Sequence, residues 1–207
     1  MQRPNGFEEA KVQGEYELVE IGGHNMIVKQ VTERKNKNGG DMIVVYFDFD
    51  VSDKQGGYFM KRYKDDNRQD KKWPNQATEY INVNTSEGKC SSKFKTFCTC
   101  MEHSNAGFKI FDANGNFNFD GCKNKKIGGV FGEQLDYYNG EEKKKRVLRW
   151  FISTDKVASA DDPGLSTTKA YDDHVNSSVP SASAVGTPQF EEFMTVPDGS
   201  LDELPFN

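Results

Sequence analysis

Long apolar runs are missing from this 207-residue chain, and the longest uninterrupted one spans only residues 42–47. A membrane-spanning helix needs roughly 20 such residues, so a transmembrane protein is excluded. The first six residues reach Pro4 and Gly6 with no apolar segment behind them, which argues against a secretory signal and predicts a cytoplasmic location. Histidine is scarce, with three in the chain and none in a catalytic pairing. No phosphate loop, dinucleotide-binding glycine pattern, nucleophile elbow or zinc-protease helix is present, so the expectation is a noncatalytic protein without a cofactor. Cysteine is also scarce. Without a secretory signal, Cys90, Cys98, Cys100 and Cys122 read as reduced thiols and not as a disulfide framework. Cys98, Cys100, His103 and Cys122 could be written as a zinc set, but on a helix Cys98 and Cys100 point about 200° apart, and no metal is expected.

What the chain does have is unevenly spread. Its net charge of −5 hides a split at Val157. From there onward nine acidic residues face one basic residue, Lys169, a net of −8, whereas residues 1–156 hold 26 basic and 23 acidic residues, a net of +3. Of the aromatics, 12 of 15 Phe, 7 of 8 Tyr and both Trp precede Val157. A mildly basic, aromatic-rich body with an acidic tail is the asymmetry of some nucleic-acid binders. Residues 1–156 therefore read as one domain. Residues 157–189, mostly Ser, Ala, Thr, Asp, Gly and Pro, hold too little apolar surface to offset the entropy of ordering and read as a flexible linker. Residues 190–207 bring Phe190, Phe193, Leu201, Leu204 and Phe206 back in an acidic context, as a docking peptide would.

Within the body, residues 24–32 are β-rich, and residues 42–50 place Ile43, Val45, Phe47 and Phe49 on one face. Asn36, Asn38, Gly39 and Gly40 supply hairpin chemistry between them, so these strands should pair antiparallel. After the Gly56-Gly57 break, residues 58–64 read as a third short strand and residues 78–84 as another extended piece. From Ser92 the period changes. Phe94, Phe97, Cys98 and Met101 share a helical face, with Ser91 or Ser92 as N-cap and Asn105-Ala106-Gly107 as the stop. Strand signals resume at residues 108–111, 126–137 and 143–153, with turns at Asn114-Gly115 and Asn139-Gly140. Gly128, Gly129 and Gly132 sit inside a strand, where they suit a sharply bent barrel. The pattern predicts a mainly β protein, an OB-fold-like Greek-key barrel with one helix between the third and fourth strands, followed by a disordered acidic tail. A β-sandwich with one helix is the alternative.

Residues 58–73 mix cations with rings: Tyr58, Lys61, Arg62, Tyr63, Lys64, Arg68, Lys71, Lys72 and Trp73. Single-stranded nucleic acid is held by that mixture, cations on phosphates and exposed rings on bases. The competing reading is a solvated face over core aromatics, since Asp65, Asp66 and Asp70 are interspersed. Trp73, in a charged loop beside Lys71, Lys72 and Pro74, is the ring expected to stack on a base. A second basic set, including Lys125, Lys143, Lys145 and Arg149, flanks the last hairpin. Arg149 is a candidate groove residue there and Trp150 a core residue.

The terminal Asp202, Glu203, Leu204, Pro205 and Phe206 resemble the tail of bacterial single-stranded-DNA-binding proteins, in which acidic residues lead into a hydrophobic residue, Pro and Phe. The resemblance implies that this tip docks on replication or recombination proteins. Across residues 14–153, the first hairpin (Lys35 to Ile43), the Cys-bearing helix and Lys126-Ile127-Gly128-Gly129-Val130 resemble small proteins of phage and prophage replication or recombination modules. That implies a noncatalytic OB-fold coating single-stranded DNA without sequence preference, in the cytoplasm of a bacterial host, with no membrane partner. The oligomeric state stays open, a homo-oligomer included. The rival from another class is a protein-binding adaptor whose β-domain grips one partner and whose tail binds a second; a weaker third is an enzyme with an unrecognised site.

Overall fold

The computed structural model describes residues 1–8 and 17–178. β1 (Gly22–Lys35) and β2 (Asp41–Phe49) form the antiparallel hairpin that the alternation predicts. Asn36 builds its turn, its side-chain oxygen accepting from the backbone N–H groups of Asn38 and Gly40 at 2.9 Å each. β3 (Thr78–Asn82) pairs with β2, β4 (Lys126–Tyr138) with β1, and β5 (Glu141–Ile152) with β4, all antiparallel. The result is an open sheet in the order β3-β2-β1-β4-β5, with a two-residue β6 (Ser166–Thr167) parallel to β4.

One face of this sheet is the core. Met26, Ile43, Val45, Phe47, Phe49, Ile127, Phe131 and Phe151 are buried there, each contributing about 1.5–3 kcal/mol. A helix (Ser92–Ser104), α2 in chain order, lies between β3 and β4 and adds Phe94, Phe97, Cys98 and Met101. Ser91 is its N-cap, accepting from the Phe94 N–H at 3.2 Å. Asn105 ends it, with its side-chain amide donating to the Met101 and Lys126 carbonyls.

The segment read as a third strand is a helix, α1 (Tyr58–Asp65), and the third strand is Thr78–Asn82. Gly57 at the N-cap offers no side chain, so nothing local announces a helix. The cap comes from β2. The buried carboxylate of Asp48 accepts the Phe59 N–H at 3.0 Å and thereby satisfies a donor that α1 would otherwise leave unpaired. Residues 50–57, leading into α1, are fixed by a second buried group. His24, fully buried and stacked on Phe49 at 4.2 Å, holds Asp53 Oδ1 through Nδ1 at 3.0 Å and the Glu20 carbonyl through Nε2 at 3.0 Å. Asp53 also accepts from the Asn25 and Gln55 N–H groups.

The stretch expected to be linker is structured as far as Ser178. A 3₁₀ turn (Thr154–Ser159) buries Val157, and α3 (Lys169–Ser178) starts on the Thr168 hydroxyl. Composition misleads here because the apolar surface being covered belongs to the sheet: Val130, on the opposite face from the core, is 1% exposed. Glycines make the approach possible. A Cβ on Gly23 would meet the Val157 carbonyl at 2.3 Å, and one on Gly132 would meet Pro163 at 2.4 Å. Among the described residues no helix is long and apolar enough to cross a membrane.

Candidate nucleic-acid interface

α1 projects from the end of β2, and the chain then loops back through residues 66–74 to a 3₁₀ turn (Asn75–Ala77) ahead of β3. The basic and aromatic residues of this excursion separate into two kinds. Tyr58 is buried at 8% exposure with its hydroxyl donating to the Glu17 carbonyl at 2.6 Å, so it is a core residue and offers no ring for stacking. Lys61 and Lys64 are exposed on α1. Arg62 donates to Gln76 Oε1 at 2.8 Å. Tyr63 and Trp73 meet at 5.6 Å between ring centroids, tilted by 43°, and the Lys71 ammonium lies 4.9 Å from the Tyr63 ring.

Trp73 is not the loose loop ring that its charged neighbours suggest. Its Nε1–H is shared between the Phe47 carbonyl at 3.2 Å and the Ala77 carbonyl at 3.1 Å, and the ring packs half-buried against the core. Those two bonds fix the indole. Arg68 pairs with Asp66 through Nε and Nη2, and that guanidinium holds the Asp66 carboxyl at about 2. Two adjoining clefts of about 280 Å³ each open here. Tyr63, Arg62 and Asp66 line the first, Trp73 and Asp70 the second, and Arg68, Lys72, Pro74 and Asn75 line both. Asn75 and Gln76 carry no signal in the sequence beyond the turn that a Pro-Asn pair suggests, because the role of Gln76 depends on a strand 70 residues away.

That strand is β5. Gln76 Nε2 donates to the Arg146 carbonyl at 2.8 Å, so a side chain bridges the 3₁₀ turn to the sheet's far edge. Beyond the bridge the second basic set is largely engaged by carboxylates. Lys144 and Arg146 share Glu133 at 2.6 and 2.8 Å, Lys145 holds Asp136 at 2.7 Å, and Lys143 stands 3.6 Å from Glu141 and 5.5 Å from the Tyr138 ring. The Lys144 hydrogen bond is the main reason Glu133 sits below its ordinary range. Lys125 lies over the Phe108 ring at 5.1 Å, and neither it nor Lys143 or Lys145 lines the clefts.

Arg149 is the extra residue of a bulge opposite Val130 and Phe131, and it donates to the Glu133 and Gly164 carbonyls, pinning the 163–164 backbone to β4. This is a clamp and not a groove cation. Trp150, expected in the core, is 45% exposed, because the bulge leaves Leu148 and Phe151 as the inward residues. Burial pushes the Cys98 and Cys122 thiols up to about 12, which keeps them protonated at neutral pH. Asp202, Glu203, Leu204, Pro205 and Phe206 lie outside the described residues. No protein-family model matches the chain, and no curated protein is significantly similar to it.

Proposed function

We propose that the protein binds single-stranded DNA without sequence preference, as a noncatalytic component of phage or prophage replication or recombination. The observation that carries this reading is the pairing of two rings, Tyr63 and the hydrogen-bonded Trp73, with Lys71 over the Tyr63 ring and Arg68 and Lys72 lining open clefts. A ring held in place loses little freedom when a base stacks on it, and neighbouring cations release counterions from the backbone. The strand order supports an OB-fold reading, in which the Greek-key barrel stays open between β3 and β5 and Gln76 spans the gap. Lys61 and Lys64 extend the cation track along α1, whereas Lys143 and Lys145 stand against Glu141 and Asp136 and add little to it. The acidic residues at 202–203 with Leu204, Pro205 and Phe206 recruit a replication or recombination protein.

The test is titration of the Trp150→Phe protein with oligo(dT), so that quenching reports Trp73 alone. Quenching should saturate, be matched by mixed-sequence strands, and weaken with salt by about 0.7 log units per phosphate contact per decade. No quenching and no binding at low salt would overturn the reading. The exposed Trp150 is what favours the adaptor alternative, and under it a protein partner, not DNA, would protect that residue.

A further inference from the structure

We infer that the two clefts are adjoining subsites for two consecutive nucleotides, with Arg68 and Lys72 shared on the phosphate that joins them. This rests on the single-strand reading and adds the unit of recognition. Each cleft, at about 280 Å³, falls just below the roughly 300–1,000 Å³ of small-molecule sites, a size that suits one nucleotide better than two. Each has one aromatic wall: Tyr63 in the first, Trp73 in the second. The rings touch at 5.6 Å but are tilted by 43°, so one base cannot lie flat on both, whereas two successive bases can each take one.

The shared wall has the donors that a linking phosphate needs. Asp66 occupies Nε and Nη2 of Arg68, and Nη1 has no partner among the described residues. Lys72 is exposed on the same wall. The carboxylates are placed to discriminate. Asp66 stands in the first cleft and Asp70 in the second, so a terminal phosphate, carrying nearly two charges at neutral pH, meets a carboxylate in either. A diester between the clefts carries one charge and meets the two cations. The clefts therefore fit an internal dinucleotide better than a strand end.

The experiment is an NMR titration of the Trp73 indole N–H in the full-length Trp150→Phe protein with thymidine 5′-monophosphate, d(TpT) and dT15. The expected result is that d(TpT) binds at least tenfold more tightly than the monophosphate although it has less charge. Arg68→Gln and Lys72→Gln should each erase most of that advantage, and Tyr63→Leu should weaken d(TpT) tenfold or more, all with unchanged thermal melting. Equal affinity for d(TpT) and the monophosphate would overturn the paired subsites. So would dT15 binding that survives all three substitutions, which leaves the single-strand reading standing with its site elsewhere. Failure of the unsubstituted protein to bind dT15 removes both.

Discussion

Residues 48–77 and the β4–β5 hairpin are both rich in cations and rings, yet they are held together by opposite means. The hairpin is a ladder from Gly128 opposite Ile152 to Tyr138 opposite Glu141, interrupted once by the Arg149 bulge and turned on Asn139-Gly140 in the left-handed conformation. Residues 48–77 have no ladder beyond Phe49, the last residue of β2. They are fastened by single side chains, each reaching a distant backbone group: Asp48 to Phe59, Asp53 to Asn25, Gln55 to Leu18, Tyr58 to Glu17 and Trp73 to Phe47. The charges differ likewise. On β5 Lys143, Lys144, Lys145 and Arg146 face carboxylates, whereas in the 66–74 loop Arg68 is paired with Asp66 but Lys71 faces a ring and Lys72 lines both clefts. Similar composition thus yields a regular, charge-compensated arm in one place and an irregular, open basic surface in the other.

The largest expected effect follows from the fastening. Burial alone would raise the Asp53 carboxyl, but the hydrogen bond from His24 and those from the Gln55 and Asn25 N–H groups outweigh it and hold the group below its ordinary value. A depressed carboxylate contributes stability that is full above its unfolded value of about 4 and is lost as pH falls through the lower folded value. Asp53→Asn should therefore cost about 3–5 kcal/mol at neutral pH, since it breaks a buried pair from one side. The deficit relative to the parent should shrink in acid. Chemical denaturation at pH 7 and below pH 4 measures both. A small, pH-independent loss would mean that residues 50–57 are held by something other than the His24 pair.

The same contrast explains what could be read from the sequence. The two hairpins and the Ser91-capped helix were legible, because alternation, Asn-Gly turns and a side-chain cap are local; the strands read at 58–64 and 108–111 are instead α1 and a loop with a single bridge, Phe111 to Phe117. α1 was not legible, because its cap is Asp48, nine residues before Gly57 and on another element. The two tryptophans exchange roles for a related reason. Trp73 sits among charged neighbours, but carbonyls on β2 and the 3₁₀ turn draw its indole inward; Trp150 sits in the apolar end of β5, but it pairs with Val130 on the face away from the core and stays 45% exposed there. The candidate site was legible as a list of cations and rings, and the list included Tyr58 and Arg149, whose hydrogen bonds turn them into anchors.

A middle-sized effect tests the bridge from the 3₁₀ turn to β5. Gln76 receives Arg62 and donates to the Arg146 carbonyl, so Gln76→Ala removes two bonds from opposite sides. A loss of about 1–2 kcal/mol in stability is expected, with faster hydrogen exchange at residues 73–77 and near Arg146. Exchange that changes on only one side would show that the clefts and β5 are not coupled through this residue.

The smallest effect should come from the compensated cations. Lys144 and Lys145 are exposed and spend their charge on Glu133 and Asp136, and exposed pairs of this kind contribute about 0–1 kcal/mol. Lys144→Gln with Lys145→Gln should leave melting nearly unchanged and oligo(dT) affinity within about threefold at moderate salt, a free-energy change of about 0.6 kcal/mol or less. The converse substitution sharpens the point. Glu133→Gln with Asp136→Asn keeps every cation and releases three of them, Lys144, Lys145 and Arg146, so affinity should rise at low salt and the dependence on salt should steepen. Were the lysine variant instead to lose as much affinity as Arg68→Gln, the pairs on β5 would have to open when DNA binds. The hairpin would then be a second half of the interface, and the distinction between a compensated arm and an open cleft would hold only for the unbound protein.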